Sequence, residues 1–249
     1  MPPVPKRAPD NTTLILGECI EEMWKLPKAS IDLIVADLPY GVTQNHWDSI
    51  IPLNWLWEAY RRVRKPRTAI VLTAIQPFTT KLVASNYKEF HHSWVWLKDP
   101  VGFLNAKKQP MRAHEDVLVF CDSSPRYFPQ GLQIKAGRHN RGSGSKNYGG
   151  YEGISEQFYR NYPSTILRFN PVRRAAVHTT QKPTSLLEYL IKTFSKEGDT
   201  VLDNTMGSGS TGVACCACNR KFIGIEKDPE IYKLAVKRIK EYQARATST

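Results

Sequence analysis

The chain has 249 residues, a formal net charge of +12 at pH 7 and five cysteines. Its length fits one large α/β domain, or one that carries a smaller insertion. No stretch approaches the roughly twenty consecutive apolar residues that span a bilayer, and the Met1 to Arg7 segment lacks the apolar core of a secretion signal, so a cytoplasmic protein with no membrane partner is expected.

Residues 1–10 are proline-rich and polar and read as a loose tail. Thr12 to Leu16 has the composition of a strand, and Ile20 to Leu26 carries apolar residues at helical spacing. The run from Ile31 to Ala36 predicts a buried strand, which ends in Asp37-Leu38-Pro39-Tyr40. An acid at the carboxyl tip of such a strand points into the crevice where open α/β sheets bind ligands. Pro39 stiffens the turn, and Tyr40 offers an aromatic face. Asp37 and a backbone carbonyl can accept both hydrogens of an amino group, which turns the nitrogen lone pair toward an electrophile. That attack needs positioning, not a covalent nucleophile.

Leu53 to Val63 reads as an amphipathic helix whose Trp55, Trp57 and Tyr60 serve packing. A strand (Thr68 to Leu72), a helix (Pro77 to Ser85) and another strand (His92 to Leu97) follow. A basic loop then leads into the strand Asp116 to Cys121, with Lys107, Lys108 and Arg112 as candidates for phosphate contact. The pair His114-Glu115 either lines the crevice or caps the sheet edge. From Asp122 to Val177 the periodicity fades, and nine Lys/Arg stand against three Asp/Glu. Basic and aromatic residues interleave there, as in a loop that tracks a phosphate backbone, and Arg138, Arg141, Lys146, Arg173 and Arg174 are its candidate contacts. A flexible insertion without a partner is the alternative.

Gln181-Lys182-Pro183 precedes an amphipathic helix, Thr184 to Ser195, with Leu186, Leu187, Leu190, Ile191 and Phe194 on its inner side. Lys182 or the helix N-terminus suits a carboxylate. Thr200 to Asp203 then forms a strand, followed by a glycine loop, a helix (Val213 to Cys218) and a strand (Lys221 to Ile225) that ends in Glu226. An acid about twenty residues beyond a glycine turn, at the tip of the next strand, is placed to accept hydrogen bonds from a ribose. The stretch therefore predicts a nucleoside-cofactor site. Gly207, Gly209 and Gly212 also satisfy the dinucleotide pattern G-x-G-x-x-G, but three residues separate Asp203 from the first glycine and a single helix, Pro229 to Ala244, follows. A nicotinamide domain does not continue from that. Cys215-Cys216-x-Cys218 is not a zinc spacing, and with Cys19 and Cys121 these thiols read as buried and reduced, with no metal site expected.

The loop Asp203-Asn204-Thr205-Met206-Gly207-Ser208-Gly209 resembles motif I of S-adenosylmethionine-dependent methyltransferases. Asp37-Leu38-Pro39-Tyr40 is similar to motif IV of the DNA amino-methyltransferases, most often Asp-Pro-Pro-Tyr, from which Leu38 departs. Gln181-Lys182-Pro183 resembles motif X. Their order is that of the circularly permuted β class, and the resemblance runs from Thr12 to Tyr242.

This resemblance implies a Rossmann-like methyltransferase fold: a mostly parallel seven-stranded sheet with one antiparallel strand and helices on both faces. Residues 11–121 and 178–249 would form the catalytic domain and 122–177 an inserted target-recognition region. It further implies S-adenosylmethionine as cofactor, held by Asp203, Thr205, Gly207, Ser208, Gly209, Ser210 and Glu226 with help from Lys182 and Glu18. Asp37, Leu38, Pro39 and Tyr40 would be the catalytic group and His114 a contact to nucleic acid. The implied partner is double-stranded DNA, with a homodimer and a cognate restriction nuclease also compatible. Asp at the first motif IV position is typical of adenine-N6 enzymes and Ser of cytosine-N4 enzymes. Cytosine-N4 or RNA methylation, and a non-catalytic nucleic-acid-binding protein on the same fold, stay open beside the adenine reading.

Overall fold

A computed structural model of the chain describes residues 11–41, 50–101, 106–135, 158–171 and 181–247. The tail and the candidate contacts Arg138, Arg141, Lys146, Arg173 and Arg174 lie outside them. By compactness the chain divides into two units, Met1–Phe128 with Thr165–Thr249, and Pro129–Ser164.

The larger unit alternates strands and helices. In chain order it runs β1 (Thr12–Leu16), α1 (Cys19–Lys25), β2 (Ile31–Asp37), α2 (Leu53–Val63), β3 (Arg64–Ala74), α3 (Phe78–Ser85), β4 (Phe90–Val101) and β5 (Arg112–Phe120). The second, smaller unit contributes β6 (Gln133–Ile134) and β7 (Tyr159–Arg160). The larger unit resumes with β8 (Ile166–Arg168), α4 (Thr184–Phe194), β9 (Thr200–Asp203), α5 (Ser210–Ala217), β10 (Lys221–Glu226) and α6 (Pro229–Thr247).

Eight strands form one sheet in the order β1-β10-β9-β2-β3-β5-β4-β8. Only β5 runs against its neighbours, β3 and β4. The sheet thus has one strand more than the expected seven, because β8 pairs parallel to β4 at the edge. Three residues with a single buried apolar side chain, Leu167, give too short a pattern to stand out in a basic stretch.

Period-two alternation assigns the strands' side chains to two faces. On β2, Leu33 and Val35 join a core with Leu186, Leu190 and Phe194 of α4, Cys215 of α5 and Ile239 of α6. Ile34 and Ala36 face the other way, toward Met23 of α1, Leu56 and Tyr60 of α2, and Leu82 of α3. The central strands are therefore covered on both sides, as a parallel sheet requires. All five cysteines are buried and unpaired, and Cys215 sits in the first core.

In the smaller unit β6 and β7 form an antiparallel pair, closed by a hydrogen bond from Lys135 N to Phe158 O at 2.8 Å. Asn161 Nδ2 donates to Gly131 O at 2.8 Å. Ile134, Phe158, Tyr159 and Tyr162 are exposed there.

Gly212 lets α5 pack closely against both α6 and the sheet. A Cβ at this position would stand 2.4 Å from Ile239 Cδ1 and 2.8 Å from Phe222 Cε1. Overpacking of this kind costs about 1–3 kcal/mol, partly offset by the ~1 kcal/mol by which alanine outranks glycine in a helix. Gly212→Ala should therefore lower the unfolding free energy by about 1 kcal/mol in a urea titration. Unchanged or increased stability would show that Ile239 and Phe222 yield freely.

Candidate active site

At the middle of the sheet β2 and β9 lie side by side and parallel, with Leu33 opposite Val201 and Ile34 opposite Leu202. From β2 the sheet grows toward β3 on one side, and from β9 toward β10 and β1 on the other. Such a reversal leaves a crevice beyond the carboxyl ends of the two strands. A cavity of about 430 Å³ opens there, lined by Asp37 to Tyr40, Asp203 to Ser208, Glu226, Glu18, Gln181 and Lys182.

The glycine loop forms one wall. Asp203 closes β9 with 3% of its surface exposed, and its carboxylate accepts hydrogen bonds from Thr205 N at 3.1 Å and Thr211 Oγ1 at 2.6 Å. Burial pushes its pKa up to about 7, against the opposing pull of those two donors. Gly207 and Gly209 take φ values of +50° and +80°, a region that side chains avoid, and so let the backbone turn sharply at the cavity. Gly207 N donates to Glu226 Oε2 at 3.0 Å, and Asp228 N to Oε1 at 2.9 Å. Each carboxylate oxygen keeps a second lone pair for a hydroxyl. The hydroxyls of Ser208 and Ser210 both accept from Arg238 of α6, at 3.1 and 3.0 Å. Each hydroxyl is thereby oriented by Arg238 and keeps its own proton to donate, and both serines line the cavity.

The Asp37 turn forms the opposite wall. Thr205 Oγ1 joins the two walls by donating to Asp37 O at 3.1 Å. Thr73 Oγ1 donates to Asp37 Oδ1 at 2.5 Å, and the Tyr40 hydroxyl donates to the same oxygen. Burial and the nearby Asp37 and Glu115 carboxylates raise the Tyr40 pKa well above its ordinary value, so the phenol stays a donor. Its ring packs on Phe78 with centroids 5.5 Å apart. Leu38 is 3% exposed and belongs to the second core. Where the resemblance expects a ring to stiffen this turn, a buried aliphatic side chain anchors it.

Lys182 is placed differently from the expectation that it serves a cofactor carboxylate. Its Nζ donates to Asp37 Oδ2 at 2.5 Å and lies 3.4 Å from Glu115 Oε2. Burial works against the ammonium charge, but the two carboxylates outweigh it and hold the Lys182 pKa above the ordinary lysine value. Glu115 Oε1 in turn accepts from Lys98 Nζ at 2.5 Å, and Lys98 stands 4.8 Å from the centre of the Trp96 ring.

Of the residues expected to meet nucleic acid, Arg112 lines the cavity, while Lys107 and Lys108 are exposed between β4 and β5. His114 is exposed and is not among the residues lining the cavity, whereas its neighbour Glu115 is. Successive strand residues face opposite sides, so a pair of this kind delivers only one member to a crevice. Of the His114-Glu115 pair, Glu115 is the member that lines the crevice, and Lys98 and Thr73 are the site residues that sequence reasoning did not single out. Thr73 lies one residue past the strand Thr68 to Leu72 that the sequence predicts, because β3 runs on to Ala74, and the two ion pairs left no signal in spacing.

The glycine backbone turn with Glu226 beside it and cationic side chains in the same cavity fit a zwitterionic nucleoside such as S-adenosylmethionine. The comparisons agree. A family model described as DNA methylase, for N6 and N4 methyltransferases, matches residues 31–237. The DNA adenine methyltransferase YhdJ of Escherichia coli (strain K12) is 29% identical, over 91% of this chain and 82% of its own. The crystal structure of the M1.HpyAVI–SAM complex superposes with a TM-score of 0.62 at 22% identity, covering 91% of this chain and 99% of that one. The PvuII DNA methyltransferase, cytosine-N4-specific, superposes at 0.66 with 15% identity, covering 96% and 94%.

Asp203 makes the site's stability depend on pH. Its folded value near 7 lies above the ordinary 3.8, so the native state keeps a proton that the unfolded chain releases. The stabilisation is complete below about pH 4 and is lost as pH rises through about 7. Denaturant titrations at pH 5 and pH 8 should show the ligand-free protein weakening between them, and Asp203→Asn should flatten that fall. An equal fall in the variant would mean that Asp203 does not titrate in this range.

Proposed function

The chain belongs to the DNA methylase family of N6 and N4 amino-methyltransferases, and on that premise we propose that it methylates the N6 amino group of adenine in duplex DNA at a specific sequence. It is an S-adenosylmethionine-dependent DNA methyltransferase. The observation that carries the proposal is the Asp37 carboxylate, held at the cavity by Thr73, Tyr40 and Lys182. An adenine target is favoured by Asp at this position and by the likeness to an adenine methyltransferase.

The target base must leave the helix to reach a cavity at the strand tips. Asp37 and the Leu38 carbonyl then accept the two amino hydrogens, which draws the nitrogen lone pair away from the ring and toward the opposite wall. When bound, S-adenosylmethionine supplies a methyl group on a positively charged sulfur, whose bond to carbon breaks as the bond to nitrogen forms. Positive charge gathers on the nitrogen, beside the Asp37 carboxylate, until the methylated amino group gives up one proton to solvent. Preorganised charge at that point lowers the barrier without any reorganisation of solvent. Buried Leu38 and the Tyr40 bonds hold the turn still while this happens. The basic segment 122–177 is the proposed target-recognition region, and Lys107, Lys108 and Arg112 the proposed phosphate contacts nearest the cavity.

Asp37→Ala should lower transfer from labelled cofactor to unmethylated genomic DNA at least about 100-fold and leave cofactor affinity within a fewfold. Turnover at the wild-type rate would sink the role of Asp37. Digestion of the wild-type product should place the label on N6-methyladenosine. Label on N4-methylcytosine would preserve the chemistry and overturn the base, in line with the cytosine-N4-specific structural neighbour. Replacing both Lys107 and Lys108 with Gln should weaken binding to all duplexes alike and reduce the salt dependence by about one counterion per lysine. A loss confined to one sequence would make them base contacts instead.

A further inference from the structure

Asp37 meets its proposed substrate with both carboxylate oxygens engaged. Oδ1 accepts from Thr73 and Tyr40, and Oδ2 accepts from Lys182 at 2.5 Å. With Oδ1 filled, the ammonium on Oδ2 leaves a single lone pair there for an amino hydrogen, and it repels a nitrogen that becomes positively charged. Lys182 cannot simply withdraw, because an unpaired buried cation is strongly disfavoured. Glu115 offers the one nearby alternative among the described residues. Its Oε2 is buried, has no hydrogen-bond partner, and lies 3.4 Å from Lys182 Nζ. Its other oxygen is held by Lys98, so the acceptor is fixed in position. Exposure runs in the matching order, with the Lys182 and Glu115 side chains each at 11% and that of Asp37 at 30%. The amino group approaches from the open side, and the ammonium has a place to go on the closed side.

We propose that Glu115 is a positioning residue that receives the Lys182 ammonium when the target amino group engages Asp37. The inference rests on the amino-transfer reading of Asp37. No covalent bond changes in the handover. The cation moves from one carboxylate to another, four charges that sum to zero stay within the cluster, and Asp37 faces the reacting nitrogen without a competing cation. A buried acceptor that lacks a hydrogen bond in the resting protein acquires one in the reacting complex. Glu115 thus acts on the base through Lys182 and Asp37 and does not touch it.

The test is a double-variant cycle in the full chain, with methyl transfer to genomic DNA followed at saturating cofactor. Glu115→Gln, which keeps shape but not charge, should lower kcat roughly 10–100-fold, the scale of coupling between contacting charged groups, with little change in the KM for DNA or in cofactor affinity by calorimetry. Adding Lys182→Gln to that variant should raise kcat, because it frees the Asp37 oxygen that Glu115 can no longer free. A purely structural Glu115 predicts the opposite sign, with the second substitution adding to the damage. A single variant within twofold of wild type, a double variant no faster than Glu115→Gln, or a parallel loss of cofactor affinity would each overturn the proposal. If Glu115→Gln does not fold, Glu115→Asp, which keeps the charge and shortens the reach, takes its place in the same cycle. Absence of transfer by the wild-type protein would instead count against the amino-transfer reading itself.

Discussion

The parallel pairing of β2 with β9 is the constraint from which the site follows. The two strands lie far apart in sequence, yet their register sets which residues emerge together at the sheet's edge. Asp37 and the glycine loop both begin where those strands stop, and the Thr205 hydroxyl bonds one end to the other across 168 positions. A register slip of a single residue would turn the Asp37 side chain to the opposite face and its neighbours with it. Two apolar cores, one on each side of the sheet, oppose such a slip because each apolar β2 side chain, Ile31 and Leu33 to Ala36, is committed to one of them.

Much of this was legible in the sequence, for identifiable reasons. Apolar runs such as Ile31 to Ala36, each ending in an acid, announce both a buried strand and the tip that carries chemistry. The helix Leu53–Val63 has the bounds that its periodicity predicts. The strands β6, β7 and β8 were not legible, since two or three residues carry no period. Ion pairs were the larger gap. Lys182 is recognisable beside a helix start, but its partner Asp37 is 145 residues away, and nothing in either stretch announces the other. Spacing reports what one element presents to its surroundings, and only the folded sheet shows which presentations coincide.

The wall around Asp37 also shows how one departure from a motif is absorbed. Leu38 gives up the rigidity of a proline ring and gains a buried side chain, while Thr73 and Tyr40 hold the carboxylate from two directions. Stiffness around Asp37 thus comes from the second core and from β3. Asp203 does the corresponding work across the cavity, where its carboxylate gathers the start of the loop and the first turn of α5.

The glycine loop leans on α6 as closely as it leans on the sheet. Gly209 stands against Ala235, where an added Cβ would come within 3.1 Å of the alanine methyl, and Arg238 bonds to Ser208 and Ser210. The inner face of that last helix is therefore constrained by the loop it supports, at Ala235 through Gly209 and at Arg238 through Ser208 and Ser210. Gly209, already without a side chain and held at a positive φ, can give no room to a larger residue at position 235, so the loop confines that turn of α6 to small side chains.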